Sequence, residues 1–298
     1  MADTAYQSKR DTARAWFSGL AASLRDRFER LEHEYQAESG TASEAPKFTC
    51  TTTRTKAPDG SDRGGGLMAV MRNGCLFEKI GINHSTVYGV LEEAALHRLA
   101  AGKSIRNLDR DPRFWASGVS LVAHAANPKV PAVHFNTRMF WTPVRHWFGG
   151  GADLTPCFEC DADTEWFHHV LEACCARSDP GYYRQFKEWA DRYFHIPHRN
   201  RARGVGGIFF DDLNSGDWEA DFRFVTDVGR AFVKAYIPIV GRRADETYSE
   251  SDHEKLLRMR ALYAEFNLVY DRGTRFGLES GHDADAVLMS LPPVAKWP

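Results

Sequence analysis

The sequence lacks several features that would mark out whole classes of protein. No apolar run approaches the roughly 18–20 residues that span a bilayer, which excludes a transmembrane helix. Lysine and arginine total 38 against 40 aspartates and glutamates, and this balance argues against a nucleic-acid-binding protein held by a basic surface. Six cysteines in 298 residues, two of them adjacent, do not suit a disulfide framework.

We do not expect a targeting signal at the beginning of this sequence. The first thirty residues have no long apolar segment of the secretory type, and their acidic residues do not suit a transit peptide. We therefore expect a cytoplasmic protein.

The periodicity of apolar residues predicts an α+β protein. An amphipathic helix is expected over residues 8–35, and further helices over 91–101, 163–176, 180–193, 218–236 and 252–265. Strands are expected over 48–56, 67–71, 75–82, 118–124, 131–141, 206–210, 266–270 and 286–291, with a loop over 58–66 and a turn at Asn73-Gly74. We expect a largely antiparallel sheet with helical cover, in which 1–46 form a helix and connection and 47–298 form one compact unit.

Two of these strand-like stretches, 118–124 and 133–140, carry polar residues at alternate positions. Because side chains alternate between the two faces of a strand, pairing of the two strands collects the polar groups on one face. Those groups are Ser120, His124, His134, Asn136 and Arg138. The pattern alone allows a solvated outer face. The residue types, with no lysine or glutamate among them, favour a binding or catalytic site.

Two glycine-rich segments lie at 149–151 and 204–207. Three consecutive glycines allow a close approach of the backbone to a ligand or another chain, and a flexible turn explains them equally well. The first segment is not a dinucleotide fingerprint, because its spacing does not fit. After the second segment, Asp211 and Asp212 are expected to cap the structure that follows.

Histidines and cysteines supply candidate metal ligands. Cys157 and Cys160 have a spacing found in zinc sites, but their nearest candidate partners are adjacent doublets on one predicted helix, which cannot all converge. We therefore do not expect zinc at the cysteines. Four histidines stay open as ligands of a divalent metal, since neutral imidazole binds several such ions: His124, His134, His168 and His198.

Taken together, these segments resemble the oxygen-dependent coproporphyrinogen III oxidase family. The resemblance extends over about residues 47–297, and its most specific motifs are WFGGGADLTP at 147–156 and VYDRGTRFGL at 269–278. Further matches are FEKIGINHSTVYG at 77–89, GVSLVAHAANPKVPAVHFNTRMF at 118–140 and RGVGGIFFDDL at 203–213.

The resemblance implies a broad, flat sheet with helices on both faces and a homodimer. It also implies a reaction in haem biosynthesis, the oxidative decarboxylation of two propionates of coproporphyrinogen III to vinyl groups. Dioxygen is the co-substrate, and the products are protoporphyrinogen IX, carbon dioxide and hydrogen peroxide. No organic cofactor is implied, because the deprotonated pyrrole ring is electron-rich enough to react with dioxygen.

Roles for individual residues follow from the resemblance and from the substrate's chemistry. His134 matches the proton-transferring histidine, and the family's substrate contacts match Ser120, Asn136, Thr137 and Arg138. The propionates call for guanidinium groups, for which the candidates are Arg138, Arg203 and Arg272. The expected acceptor of the pyrrole N–H groups is Asp153, with Asp271 as second choice. Histidines described as metal ligands in some members match His124, His134, His168 and His198, although we expect activity without a metal.

The segment 281–286 departs from the family pattern, because it lacks the arginine and glutamate found there. Asp283 would repel a carboxylate, so we expect backbone N–H groups around Gly281 to bind a propionate, with Asp283 turned outward. His282 would add a weak positive charge below about pH 6.5. The region 251–278 is expected to contribute to the dimer interface.

Two other functions remain open. A metal-dependent hydrolase using the same histidines would lose its activity to chelators. A non-catalytic tetrapyrrole-binding relative is suggested by the altered segment 281–286.

Overall fold

The computed structural model describes residues 2–40, 45–57, 59–93, 96, 97, 99, 103, 105, 107–279 and 283–298. Within these residues the strands are β1 Thr49–Lys56, β2 Asp62–Arg72, β3 Phe77–Val90, β4 Arg113–Ala125, β5 Ala132–Trp141, β6 His146–Thr155, β7 His195–Ile196, β8 Arg201–Ala202 and β9 Gly206–Leu213. The α-helices are α1 Ala2–Glu38, α2 Asp161–Ala176, α3 Tyr182–Tyr193, α4 Trp218–Arg243, α5 Glu250–Val269, α6 Arg272–Glu279 and α7 Ala284–Val287. Short 3-10 helices lie at Leu108–Arg110, Pro197–Arg199 and Leu288–Ser290.

Seven of the strands form one antiparallel sheet in the order β1-β2-β3-β4-β5-β6-β9. Strands β1 to β6 pair with one another in chain order, and β9 returns to pair with β6 after α2 and α3. The strands β7 and β8 form a separate two-stranded ribbon. The α+β class and the antiparallel sheet predicted from the sequence are confirmed.

One face of the sheet is apolar and is buried beneath α1 and α4. Phe135 of β5 stacks on Phe232 of α4 with ring centroids 4.6 Å apart, and both rings are fully buried. The helix α1 contributes a stripe of buried residues spaced three or four apart: Ala13, Phe17, Leu20, Leu24 and Phe28. This stripe confirms the predicted amphipathic helix, because its apolar side covers the sheet while its polar side meets solvent.

Glu32 of α1 is fully buried and fills the turn between β2 and β3. Its carboxylate accepts hydrogen bonds from the backbone N–H groups of Cys75, Leu76 and Phe77, at 2.6, 3.0 and 2.8 Å. The turn lies at Asn73, as predicted, with a positive φ of 60°. A buried carboxylate is tolerated only when its oxygens are satisfied, so these bonds fix α1 to this hairpin.

The opposite face of the sheet is covered in part, by α5 and the C-terminal segment 283–291. Tyr263 of α5 meets His124 of β4 edge-on, with ring centroids 5.1 Å apart. Lys79 of β3 donates from Nζ to the carbonyl oxygen of Leu291 at 2.6 Å, which holds the C-terminal segment on the sheet. Helices therefore lie on both faces, as the resemblance implied.

Two apolar runs predicted as strands are helical. Residues 266–270 are the end of α5 and the residue after it. This helix begins with a capping box between Ser249 and Asp252 and buries Leu256, Tyr263 and Phe266 along one side. Residues 286–291 lie in α7, in the 3-10 helix and in the residue after it. Short apolar runs do not distinguish a strand from the buried side of a helix, which explains both errors.

The predicted loop over 58–66 is wrong in its second half, where glycines lie in a strand. Strand β2 already begins at Asp62, and Gly65 and Gly66 lie within it. A Cβ atom on Gly66 would lie 1.9 Å from the carbonyl oxygen of His84, and one on Gly65 would lie 2.1 Å from that of Thr53. Glycine is required here because the neighbouring strands approach too closely for a side chain. The predicted helix at 91–101 lies partly outside the described residues.

Candidate active site

The polar face predicted from the sequence is present on β4 and β5. Ser120 lies opposite Asn136, Gly118 opposite Arg138, and Val122 opposite His134. Alternation along each strand therefore places Ser120, His134, Asn136 and Arg138 on one face, away from the apolar core. Thr137 points to the other face, where it is fully buried, so its side chain does not share this surface.

His134 and Asp153 form the centre of the site. The next strand, β6, places Asp153 opposite His134, and the Nδ1 atom of His134 lies 2.8 Å from Oδ1 of Asp153. Because an ionised carboxylate only accepts hydrogen bonds, Nδ1 carries the proton. Burial alone would raise the pKa of Asp153, but Arg203 and His134 hold it below its usual value. Asp153 thus stays charged behind the imidazole.

Asn136 fixes the other side of the imidazole. Its Nδ2 donates to Nε2 of His134 at 3.0 Å, and its Oδ1 accepts from Nη1 of Arg138 at 2.9 Å. Because the guanidinium can only donate, Asn136 must turn its Oδ1 towards Arg138 and its Nδ2 towards His134. The N–H of Nδ2 then requires a lone pair on Nε2 of His134 as its acceptor. His134 is therefore held with Nε2 as a proton acceptor, on the side of the ring that faces away from Asp153.

Asp211 of β9 collects several cationic groups at the other end of this hydrogen-bonded row. Nη2 of Arg138 lies 2.5 Å from Oδ1 of Asp211, while Lys103 and Arg272 approach Oδ2 at 3.3 and 3.6 Å. Burial would raise the pKa of Asp211, but these three cations hold it below its usual value.

The expectation that Asp211 caps a following helix is wrong, because Asp217 caps α4 by accepting from the backbone N–H of Ala220.

Sequence reasoning missed Asp211 and Lys103 as members of the site. Side chains two positions apart on a strand share a face, so Asp211 shares a face of β9 with Phe209. This alternation is the sequence signal that could have indicated Asp211. Lys103 is a helical residue between β3 and β4, where the sequence has no such alternation, so only the folded chain brings it to the sheet.

Gly149 leaves the space in which Arg138 and Asp211 meet. A Cβ atom there would lie 3.0 Å from Nε and Cζ of Arg138 and 3.0 Å from Oδ1 of Asp211. The glycine-rich segment 149–151 is part of the extended strand β6, so the flexible-turn alternative is wrong. A close approach of this backbone to a ligand or another chain stays a prediction.

Arg203 is buried behind Asp153. Its Nη2 donates to Oδ2 of Asp153 at 2.6 Å, and only 3% of the residue is exposed. Its guanidinium carbon lies 4.4 to 4.6 Å from the ring centroids of Phe194, Tyr263 and Phe266, a cation–π environment. In this position Arg203 holds the carboxylate of Asp153. The direct contact between Arg203 and a propionate that is expected from the sequence stays a prediction.

Tyr193 joins the remaining predicted residues, Asp271 and Arg272, to the site. Its hydroxyl donates to Oδ1 of Asp271 at 2.8 Å and accepts from the backbone N–H of Arg272 at 3.1 Å. The ring stacks on Phe209 of β9 at a centroid distance of 4.1 Å. Burial and the charge of Asp271 raise the pKa of Tyr193, which keeps the hydroxyl protonated. The beginning of α6 is thereby fixed beside Asp211.

The four histidines considered as metal ligands have separate partners. His124 is buried and its Nε2 contacts the carbonyl oxygen of Ser290; burial lowers its pKa to about 3. His168 binds the carbonyl of Val205 and the hydroxyl of Tyr183, and His198 binds Glu265 and Tyr270. Across the described part of the chain, no three side chains of His, Cys, Asp or Glu are grouped as metal ligands. The four histidines do not fit one shared metal ion.

The segment that departs from the family pattern is only partly described. Gly281 and His282 lie outside the described residues, so the predicted backbone contact there stays a prediction. Asp283 caps α7 by accepting from the backbone N–H groups of Asp285 and Ala286 at 2.9 and 3.3 Å.

Comparison with known proteins identifies the family. A family model described as coproporphyrinogen III oxidase matches residues 25–298. The chain belongs to this family. Oxygen-dependent coproporphyrinogen-III oxidase of Drosophila melanogaster is 44% identical over 286 residues, covering 94% of this chain and 73% of the relative. The protein of the same name from Rickettsia bellii (strain RML369-C) is 42% identical over 291 residues, covering 98% of this chain and 99% of the relative.

The coproporphyrinogen III oxidase match begins within α1, so it reaches further towards the N-terminus than the resemblance over 47–297 indicated. No helix among the described residues combines the length and apolarity needed to cross a membrane.

Proposed function

We propose that this protein is an oxygen-dependent coproporphyrinogen III oxidase. Family membership supports the substrate and the reaction. The observation that carries the proposal is the continuous row of hydrogen bonds from Arg203 through Asp153, His134, Asn136 and Arg138 to Asp211. This row combines an oriented proton acceptor with a cluster of cations on one face of the sheet, which suits a substrate with both N–H groups and carboxylates.

In the proposed reaction each propionate is converted to a vinyl group with dioxygen as the oxidant. One side chain R–CH2–CH2–COO⁻ reacts with O2 and one proton to give R–CH=CH2, CO2 and H2O2. Two electrons pass from the substrate to dioxygen, and the carbon–carbon bond to the carboxylate breaks. The balance of electrons requires no nicotinamide, flavin or haem group, and two such conversions give protoporphyrinogen IX.

We assign proton transfer to Nε2 of His134. Its lone pair is directed away from Asp153 and accepts from Nδ2 of Asn136 in this structure. A pyrrole N–H displaces this amide and gives its proton to Nε2, after which Asp153 stabilises the positive charge on the imidazole. The sequence suggests that Asp153 accepts pyrrole N–H groups directly. Both of its oxygens are occupied and only 1% of the residue is exposed, so we propose instead that Asp153 acts through His134.

Arg138 is proposed to bind the propionate that reacts. Its side chain is 36% exposed, and a guanidinium binds a carboxylate through two parallel hydrogen bonds. Asp211 positions Arg138 beforehand, while Lys103 and Arg272 share the same carboxylate and supply further positive charge for a second propionate. Ser120 and Asn136 lie beside this position and are proposed to contact the macrocycle.

We also propose a homodimer. The end of α5 and the helix α6 expose several large apolar residues, Leu268, Val269, Phe276 and Leu278, which are 37% to 51% exposed. Such a patch is typical of an interface. Light scattering at micromolar concentration should give twice the mass of the chain, and a monomer mass would contradict the proposal.

A cytoplasmic location stays a prediction.

Aerobic incubation with coproporphyrinogen III tests the proposed function. We expect protoporphyrin after oxidation of the product, with two equivalents each of CO2 and H2O2. The activity should survive exhaustive dialysis against a chelator, because no step above uses a metal. A metal-dependent hydrolase would instead lose activity, and a tetrapyrrole carrier would bind the substrate without releasing CO2. Either result would overturn the proposal.

A further inference from the structure

A separate cavity of about 580 Å³ opens on the same face of the sheet, at the end formed by β1, β2 and β3. Its floor is made by Met68, Val70, Arg72 and Lys79, whose register on β2 and β3 places them on one face. Met289 of the C-terminal segment forms a wall and lies directly above Gly81, where a Cβ would come within 2.2 Å of its Sδ atom. The cavity thus combines an apolar floor with cationic groups.

Lys79 is the unusual member of this cavity. It is only 5% exposed, and among the described residues its ammonium group donates to one acceptor, the carbonyl oxygen of Leu291. Within the described part of the chain, no carboxylate forms an ion pair with it. Removing an ammonium ion from water is costly unless an opposite charge compensates it, so this buried charge lacks the partner that it requires.

The charged and titratable groups around Lys79 do not supply that partner. Arg72 lies opposite it on β2, and His124 lies opposite it on β4 and is kept neutral by burial. Arg260 of α5 approaches the same histidine. Asp285 and Lys47 also line the cavity, where they add one negative and one positive charge. Burial and the charge of Arg72 lower the pKa of Lys79 to about 8.

We propose that this cavity is a binding site for a small organic carboxylate, with its carboxylate on Lys79 and Arg72 and its apolar body on Met68, Val70 and Met289. Lys79 is the buried cation of the cavity and a monoanion balances its charge, while the apolar lining favours an organic carboxylate over inorganic phosphate. The site is separate from the candidate active site, so it does not depend on the proposed function.

Calorimetric titration of the full-length protein with hexanoate tests the proposal. Hexanoate should bind, acetate should bind more weakly because it lacks the apolar body, and hexyltrimethylammonium should not bind. Binding is measured directly, so the result does not depend on whether the protein oxidises coproporphyrinogen III. Absence of hexanoate binding, or equal binding of the cationic probe, would overturn the proposal.

Two variants assign the binding to the cavity. Lys79→Met preserves the length of the side chain without its charge and should weaken hexanoate binding about 30-fold or more. Arg72→Ala removes an exposed cation and should weaken it by a smaller factor, about fivefold or less. The matched control is Lys234→Met, which changes an exposed lysine of α4 and should leave the affinity unaltered. If Lys79→Met does not fold, the exposed Arg72 variant still tests the site.

A second readout separates binding at Lys79 from binding elsewhere. An anion beside the ammonium group raises its pKa from about 8 towards the ordinary value, so the complex takes up protons at about pH 8 to 9. Titrations in two buffers with different ionisation enthalpies measure this uptake. Uptake that persists in Lys79→Met, or hexanoate affinity unchanged by that substitution, would place the ligand outside this cavity.

Discussion

Two aspartate–arginine pairs on the same face of the sheet are built in different ways. The pair of Asp153 and Arg203 is closed: 1% of the aspartate and 3% of the arginine are exposed, and aromatic rings surround the guanidinium. The pair of Asp211 and Arg138 is open, with 15% and 36% of the side chains exposed. A closed pair is placed to support its neighbours, whereas an open pair can exchange one partner for a ligand.

The balance of charge separates the two pairs as well. Asp153 meets one permanent cation and one imidazole, so its site has no excess charge to offer. Asp211 meets three cations, Arg138, Lys103 and Arg272. Lys103 also lies 3.7 Å from Asp212, which has Arg145 as its nearer partner, so the cluster leaves positive charge for another anion. This difference supports the proposal that the closed pair orients the proton acceptor and that the open pair binds carboxylates.

Asp153→Asn should have the largest effect, because it disrupts the closed pair. The amide does not stabilise the imidazolium and leaves Arg203 buried without a counter-charge. We expect kcat to fall about 1000-fold or more and the free energy of unfolding to fall by about 3–5 kcal/mol. Steady-state turnover and urea denaturation measure the two effects. A kcat within tenfold of the wild type would show that His134 does not depend on this carboxylate.

Arg138→Ala should impair the open pair while preserving the fold. Losing a charge-assisted contact to a propionate costs about 2–5 kcal/mol, which is about 30-fold or more in kcat/KM. The thermal midpoint should change little, because the side chain is partly exposed. Arg138→Lys should not restore the activity, since a lysine does not form the two parallel hydrogen bonds of a guanidinium. Near-normal kinetics of the alanine variant would remove Arg138 from the site.

Asp211→Asn should have a smaller effect, because the proposed role of Asp211 is to position Arg138. We expect kcat/KM to fall about tenfold, mainly through KM, since the three cations remain but lose their shared partner. Asp212→Asn is the comparison: Asp212 pairs with Arg145 at 3.0 Å and lies further from Lys103, at 3.7 Å, so we expect kcat/KM to change less than twofold or so. Equal effects of the two substitutions would contradict the distinction between these neighbouring aspartates.

The stability of the wild type should depend on pH through both aspartates. Their pKa values are lower in the folded protein than in the unfolded chain, where an aspartate has a pKa of about 3.9. The stabilisation is therefore present above about pH 4 and is lost as the pH falls through the folded pKa values. Urea denaturation from neutral to acidic pH should show the wild type and Asp153→Asn converging below about pH 4. A constant difference would contradict the ionised state of Asp153.

Asp283→Ala should have the smallest effect. Its side chain caps the short helix α7, so the substitution removes a cap worth about 1 kcal/mol of stability. We expect kcat/KM to change less than about tenfold, because Asp283 is not proposed to contact the substrate. His282→Ala should likewise change it less than about tenfold. A collapse of activity in either variant with the fold preserved would show that these side chains bind the substrate.

Alternation of side chains along a strand predicts part of the candidate site. It assigns His134, Asn136 and Arg138 to one face and Thr137 to the other, and the folded chain has them there. The role of Asp153 follows only from the resemblance and from the substrate's chemistry. The same rule fails where the secondary structure itself is ambiguous, as at 266–270, because a short apolar run fits both a strand and a helix.

Contacts between distant segments are beyond the reach of the sequence. Nothing local indicates that Arg203 is enclosed by rings from α5 and from the end of α3, or that Lys103 reaches β9. These contacts depend on the packing of helices against the sheet, which the periodicity of a single element does not determine. The resemblance supplies residue identities, but not the distinction between a buried arginine such as Arg203 and a partly exposed one such as Arg138.

The contact between Glu32 and the hairpin turn has a consequence for the order of folding. The N-terminal helix is synthesised first, yet the N–H groups that satisfy its buried carboxylate lie 43 to 45 residues later in the chain. Its apolar side also has no sheet to cover until β3, β4 and β5 have formed. We therefore expect α1 to dock late during synthesis, leaving its apolar side as a temporary target for chaperones.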